Sequence, residues 1–198
     1  MPKLVDHKKR KIKIAEATWK VIVNEGLEEA SVRKIAKVAN ISVGSLRHYF
    51  STQSELFVFS MQLVSDRVEN RAKNKSYEGT PLEAMQDFLS EFLPIDMDRR
   101  IEMEVWLVFS TKTLVDPALK ELSQVVYDDM HQACSMVVER LTDLGLSSPN
   151  LDKNMEIERL YALIDGMALH GILHPDRFSA EKMQATLKYH LESLCEGV

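Results

Sequence analysis

The chain of 198 residues reads as all-α. Glycine and proline are sparse (7 and 6), apolar residues recur at helical spacing throughout, and strand-like alternation is hard to find. Apolar residues make up 45 % of the sequence, ample for a buried core.

A first helix is expected over about residues 8–24, with Ile12, Ala15, Trp19 and Ile22 on one face and a stop at Gly26. Trp19 then belongs to a core. The basic run His7-Lys-Lys-Arg-Lys11 is either a solvated helix start or a reach toward a nucleic-acid backbone or minor groove.

The stretch Ser31-Val-Arg-Lys-Ile-Ala-Lys-Val-Ala-Asn-Ile-Ser-Val-Gly-Ser-Leu-Arg-His-Tyr-Phe50 reads as two short helices joined by a tight turn. Ser31 and Ser42 stand where a hydroxyl caps the orphan N–H groups of each helix, and Ala39-Asn40-Ile41 holds a turn-prone Asn. This pattern predicts a helix-turn-helix that places its second helix in the DNA major groove. At about 100° per residue, Val43, Leu46 and Phe50 share the side that packs on Val32, Ile35, Ala36 and Ala39. The other side carries Gly44, Ser45 and His48, flanked by Arg47 and Tyr49. Gly44 costs roughly 1 kcal/mol of helix stability against Ala, and its small size suits close approach to DNA. Arg47 suits guanine O6/N7 or a phosphate, whereas the Tyr49 phenol suits the phosphate backbone.

A packed helical pair with a solvated polar face is the alternative to this reading. Charge separates the two. Up to Phe50 there are 11 basic and 5 acidic residues, a net +6, whereas the whole chain carries −5 and the remainder therefore −11. A basic head on an acidic body suits phosphate binding by one end.

Thr52 and Glu55 form a capping-box pattern opening a helix to about Ala72, with apolar stripes Leu56, Phe59, Leu63 and Phe57, Met61, Val64, Val68. Two stripes call for two packing partners, so this helix is expected to link head and body. Residues 73–80 read as a loop, with Pro81 in the favoured first turn of the next helix. Five body helices follow at about 81–93, 98–114, 117–144, 154–173 and 179–195, separated by Pro94, Asp116-Pro117, the Gly145–Asn150 cluster and His174-Pro175-Asp176.

The order helix, Gly26, Ser31-Val-Arg-Lys-Ile-Ala, Ile41-Ser-Val-Gly-Ser-Leu-Arg-His-Tyr-Phe and Thr52-Gln-Ser-Glu-Leu resembles the TetR family of bacterial one-component regulators. Trp106 through Asp116-Pro117, and Leu163-Ile-Asp-Gly-Met-Ala-Leu-His-Gly-Ile-Leu-His-Pro-Asp-Arg-Phe178, resemble the BetI-type regulatory domain. The resemblance implies base contacts from Val43, Gly44, Ser45 and Arg47, with Arg33 a further candidate, and phosphate contacts from Ser31, Ser42, His48 and Tyr49. Many relatives carry a Lys near the start of the fourth helix; Gln53 stands here, which implies a shallower salt dependence.

The second body helix, with Ile101, Met103, Val105, Trp106, Leu107, Val108 and Phe109, is apolar nearly all round and therefore expected to be central. Phe88, Phe92, Met103, Trp106, Phe109, Tyr127, Met130, His131, Met167 and His170 are candidates to line an effector cavity, against plain core for each. A cavity holding Trp106 with Tyr127 could cage a cation, and the BetI resemblance makes a quaternary ammonium worth testing. The last two helices, through Ile157, Leu160, Tyr161, Ile164, Met167, Ala168, Gly171 and Met183, Leu187, His190, Leu191, Leu194, are expected to form a dimer surface. Gly166, Ala168 and Gly171 would let helices approach closely there; core within one chain is the other reading.

His170 and His174 lie four apart with Asp176 after them, but no metalloprotease Glu accompanies them, so packing or helix C-terminal capping is expected rather than metal. Cys134 and Cys195 sit among apolar helical residues and read as inert, reduced thiols. No catalytic constellation, cofactor motif, secretory signal or membrane-length apolar run is found. The expectation is a cytoplasmic, non-enzymatic homodimeric repressor without a cofactor. It would bind a palindromic double-stranded operator through a domain at 1–52 and a small-molecule effector through 53–198. The competing expectation is a ligand-sequestering or partner-binding helical protein with a vestigial DNA head, favoured by Gln53 and the acidic total charge.

Overall fold

The computed structural model describes residues 2–195, with side chains from residue 7 onward; Lys3 and Asp6 of the charge count fall outside the described side chains. Among the described residues nine α-helices follow in order: α1 Pro2–Glu25, α2 Val32–Val38, α3 Val43–Tyr49, α4 Gln53–Asn74, α5 Pro81–Leu89, α6 Met97–Lys112, α7 Pro117–Asp143, α8 Lys153–Leu173 and α9 Ala180–Ser193. Apart from one bridge between Ser147 and Cys195, the regular structure of the described residues is helical. Helix α1 begins well before the expected Lys8, because nothing between Pro2 and Lys8 breaks a helix and Pro is favoured in a first turn. Among the described residues no helix is long and apolar enough to cross a membrane.

The chain divides into two compact units, residues 1–67 with 104–124, and residues 68–103 with 125–198. The first unit buries Ile14, Ala15, Trp19 and Ile22 of α1 with Ile35, Leu46, Phe50, Leu56, Met61 and Phe109. Trp19 is core, as its spacing predicts, and its indole N–H donates to the Ser60 carbonyl at 3.0 Å while the Arg67 guanidinium lies 4.7 Å over the ring. Both expected stripes of α4 contribute, with Phe57 packed on Phe109 and Phe59 on Phe50, each pair 5.4 Å apart. Thr52 caps α4 through the Glu55 N–H, but the Glu55 carboxylate accepts from Ser51 N–H rather than completing the expected box. The full capping box is at Thr80 and Glu83, with Pro81 first in α5.

The second unit has a core of Met85, Leu89, Leu93, Cys134, Val138, Leu141, Leu160, Ile164, Met167, Leu187 and Leu191. Burial pushes the Cys134 thiol up to about 12, so it stays protonated and unreactive at neutral pH. Most of the residues expected on a dimer face lie in this core: Ile157, Leu160, Ile164, Met167, Ala168, Gly171, Met183, Leu187, His190, Leu191 and Leu194 are buried within one chain, and Tyr161 half-buried. Gly171 has a packing reason, since a Cβ there would come within 2.9 Å of Met183 Sδ and 3.1 Å of Pro94 Cγ. The end of α8 is capped by Arg100, whose guanidinium donates to the Gly171 and Ile172 carbonyls at 2.9 and 3.1 Å, where the helix dipole favours a cation.

A buried ionic cluster joins parts of the chain far apart in sequence. Glu91 and Glu102 are each 3 % exposed. Glu91 meets Arg71 at 3.2 Å, Lys75 at 2.9 Å and Arg99 at 3.1 Å, and Glu102 meets Arg71 at 2.7 Å. Asp87 and Asp96 hold the outer sides of Lys75 and Arg99. The cluster ties the end of α4 to the short 3-10 turn Ser90–Phe92 and to α6.

Candidate nucleic-acid interface

The turn between α2 and α3 is set by backbone hydrogen bonds. Ile41 N–H donates to Ala36 C=O at 3.0 Å and Asn40 N–H to Lys37 C=O at 3.1 Å, with Asn40 left-handed at φ 54°. This is a Schellman ending, and it explains an Asn at the one position where other side chains resist positive φ. Both serine caps are made: Lys34 N–H donates to Ser31 Oγ at 3.3 Å, and Ser45 N–H to Ser42 Oγ at 3.0 Å. The two helices are thereby fixed at their starts and at their junction.

Leu46 and Phe50 are buried, as expected of the packed side. Val43 is not: it stands 42 % exposed. It is the first residue of a seven-residue helix, beside the cap rather than in the packed turns. Gly44, Arg47 and His48 are exposed too, while Ser45 and Tyr49 are half-buried. The outward surface of α3 is therefore Val43-Gly44 at its start and Arg47-His48 near its end. A Cβ on Gly44 would meet only Ser42 Oγ at 3.9 Å, so nothing within the chain requires glycine there. Gly44→Ala is expected to leave the fold intact or raise its stability by up to about 1 kcal/mol, while weakening DNA binding. A thermal melt beside a gel-shift titration reads both, and unchanged DNA affinity would remove Gly44 from the interface.

Arg47 donates through Nη1 to the Ser51 carbonyl at 2.7 Å, which holds its stem across the end of α3 with the remaining guanidinium N–H groups exposed. Arg33 is exposed on α2. Its neighbour Lys34 is committed to Glu25 and Glu29. Gln53 has a partner within the chain: its amide donates to the Ala30 carbonyl at 2.8 Å, anchoring the start of α4 beside the α2 cap. That bond uses one of the two N–H groups of the amide.

His7 opens the basic run for which the sequence allows either a solvated helix start or a reach toward DNA. Its ring lies 4.8 Å from Tyr49 and 6.4 Å from His48, which are themselves 5.4 Å apart. This brings the start of α1, with exposed Lys8, Lys9 and Arg10, next to the end of α3. The signal was present in the basic run His7–Lys11, but only the fold brings it to the same surface as Arg47.

The ten expected effector-lining residues are divided between the two units. Trp106 and Phe109 belong to the first unit and the other eight to the second. Phe109 is fully buried against Phe57, and Met130 and Met167 are core. Phe88 stacks edge-on between Tyr77 and Phe92. Met103 packs on the core of the second unit. Tyr127 is 50 % exposed, with its ring 5.0 Å from Tyr161 and 6.4 Å from His131. His170 is exposed and packs edge-on against His174 and Phe178. The second unit instead shows a cleft of about 410 Å3 between α5 and α7, to which only Phe88 of the ten contributes. His131 alone lines another, of about 350 Å3, beside Asp152, Met155 and Glu158.

Residues 14–58 match the family described as bacterial regulatory proteins, tetR family, and residues 81–196 match that described as BetI-type transcriptional repressor, C-terminal. The HTH-type transcriptional regulator PksA of Bacillus subtilis (strain 168) is 41 % identical over 98 % of this chain and 94 % of its own length. The crystal structure of a transcriptional regulator from Rhodococcus sp. Rha1 aligns with a TM-score of 0.82 at 28 % identity, covering 95 % of this chain and 98 % of that one. A transcriptional regulator from Saccharomonospora viridis, solved in complex with choline, shares the fold with a TM-score of 0.80 at 21 % identity over 93 % and 96 % of the two chains.

Proposed function

Because the chain belongs to the tetR family of DNA-binding transcriptional regulators, we propose that it acts in the cytoplasm as a homodimeric repressor, not an enzyme, whose grip on a palindromic operator is released by a small molecule. The observation that carries this reading is the outward face of α3. Val43, Gly44, Arg47 and His48 are exposed on a helix fixed by two serine caps and a Schellman turn. In this reading Val43, Gly44, Ser45, Arg47 and Arg33 meet base edges, and Ser31, Ser42, His48, Tyr49 and the free N–H of Gln53 meet phosphates. Residues 1–52 serve as the DNA-binding domain and 53–198 as the effector-binding and dimerisation domain. The vestigial-head reading loses one of its two supports, since Gln53 has a task inside the chain.

A single α3 of seven residues spans few base pairs, so two copies on half-sites roughly 34–36 Å apart are needed for useful specificity. The dimer face in this proposal is the outer side of α8. Met155, Leu169 and Leu173 are 56, 38 and 57 % exposed there, and a Cβ on Gly166 would meet nothing within 4 Å. With Ala162 these positions repeat at helical spacing, and α9 adds Tyr189 at 76 % exposure. Two copies sharing this stripe make an isologous contact.

Gly166→Arg tests it, because the monomer has room for the side chain. Sedimentation velocity is expected to show a folded monomer with operator affinity reduced at least tenfold. A variant that stays dimeric would move the interface elsewhere, and a monomer binding operator as tightly as the wild type would overturn the two-half-site reading. A quaternary ammonium, the class seen with the Saccharomonospora viridis protein, is one effector class to assay.

A further inference from the structure

The cleft between α5 and α7 has a chemistry of its own. Its walls are largely apolar, from Tyr77, Pro81, Ala84 and Phe88 on one side and Met136 on the other. The polar atoms nearby are mostly occupied. The Tyr77 hydroxyl donates to the Ala72 carbonyl at 2.9 Å, the Glu83 carboxylate is taken up by the Thr80 N–H and hydroxyl, and Lys75, over the Tyr77 ring, is paired with Asp87 and Glu91. Arg140 is the exception. Its exposed guanidinium lines the cleft and has no hydrogen-bond or ion-pair partner among the described residues.

An apolar trough of this volume is within the range of small-molecule sites, ~300–1,000 Å3. An unpaired guanidinium at its edge selects the sign of the head group, because planar carboxylates match its fork and cations are repelled. We propose that this cleft binds an amphiphilic carboxylate, with its hydrocarbon chain along Pro81, Ala84, Phe88 and Met136 and its carboxylate on Arg140. The site takes the opposite charge from a choline-like ligand. As a binding site it stands on the cleft and Arg140 alone; as the place where the effector acts it rests on the regulator reading above.

Isothermal titration of the full chain without DNA tests the site, using decanoate, decanol and decyltrimethylammonium as probes. Decanoate is expected to bind about tenfold more tightly than decanol, the effect of one charge-assisted hydrogen bond, and the ammonium weakest. Arg140→Gln should equalise decanoate and decanol without changing the melting temperature, since Arg140 is exposed. Ala84→Trp, which fills the trough, should abolish binding of both. A decanoate preference that survives Arg140→Gln, equal binding of the ammonium, or full binding to a folded Ala84→Trp variant would each overturn the proposal. Because no DNA is present, a failure of this site is distinguishable from a failure of operator binding, which a gel shift reads separately.

Discussion

Glu91→Ala is expected to lower the unfolding free energy by about 3 kcal/mol, at the lower end of the range for removing one partner of a buried ion pair. Its carboxylate is 3 % exposed and is shared by Arg71, Lys75 and Arg99. Truncation leaves all three cations facing one another. Arg71 keeps Glu102, Lys75 keeps Asp87 and Arg99 keeps Asp96, and these three cations retain 17–33 % side-chain exposure, which is why the lower end applies. The carboxylates already outweigh the desolvation that burial imposes on Arg71, raising its pKa above the ordinary arginine value. Lys73→Ala is the control, because its pairing with Glu69 is an exposed i,i+4 contact worth about 0.3–0.5 kcal/mol. Urea unfolding followed by circular dichroism measures both. A Glu91→Ala loss below about 1 kcal/mol would mean that water already screens the cluster.

Arg47→Ala is expected to weaken operator binding by about 1–3 kcal/mol per half-site, the worth of a good bidentate base contact. The free-protein structure makes this separable from folding. Arg47 is exposed, and its one internal bond, to the Ser51 carbonyl, closes the end of α3 without supporting the core. The variant should therefore melt within about 0.5 kcal/mol of wild type, as surface substitutions do. Tyr49→Ala should behave differently. It removes a ring that packs on His7 and His48, so beyond the proposed phosphate contact it also frees the start of α1. Its loss should be uniform across operator sequences, whereas that of Arg47→Ala should relax preference at one base position. Loss of folding in Arg47→Ala, or equal affinity in a gel shift, would remove Arg47 from the reading helix.

The local signals in the sequence were the reliable ones. Ser31, Ser42 and Asn40 act through their own backbone neighbourhoods, so spacing alone located both short helices and the turn between them. The long helices were equally legible, because apolar residues at helical spacing do not depend on what they touch. Partner-dependent features were not legible. Buried Glu91 and Glu102 look like ordinary surface acids until Arg71, Lys75 and Arg99 are folded around them. Periodicity showed that α8 and α9 have apolar faces but not that one chain covers most of the positions expected at a dimer interface, leaving Met155, Gly166, Leu169 and Leu173 outside. Val43 was misplaced for a related reason: angular position on a helix ignores how far along its axis the packing extends.

Operator recognition in the proposed function depends on the outward face of α3 entering the major groove. Methylation interference on a duplex selected by the protein from random sequence tests this, because N7-methylguanine blocks contacts in that groove alone. Interference at guanines in two symmetric half-sites about one helical turn apart is the predicted result, with the block lost at one position of each half-site in Arg47→Ala. Binding that is indifferent to N7 methylation, in wild type and variant alike, would contradict it.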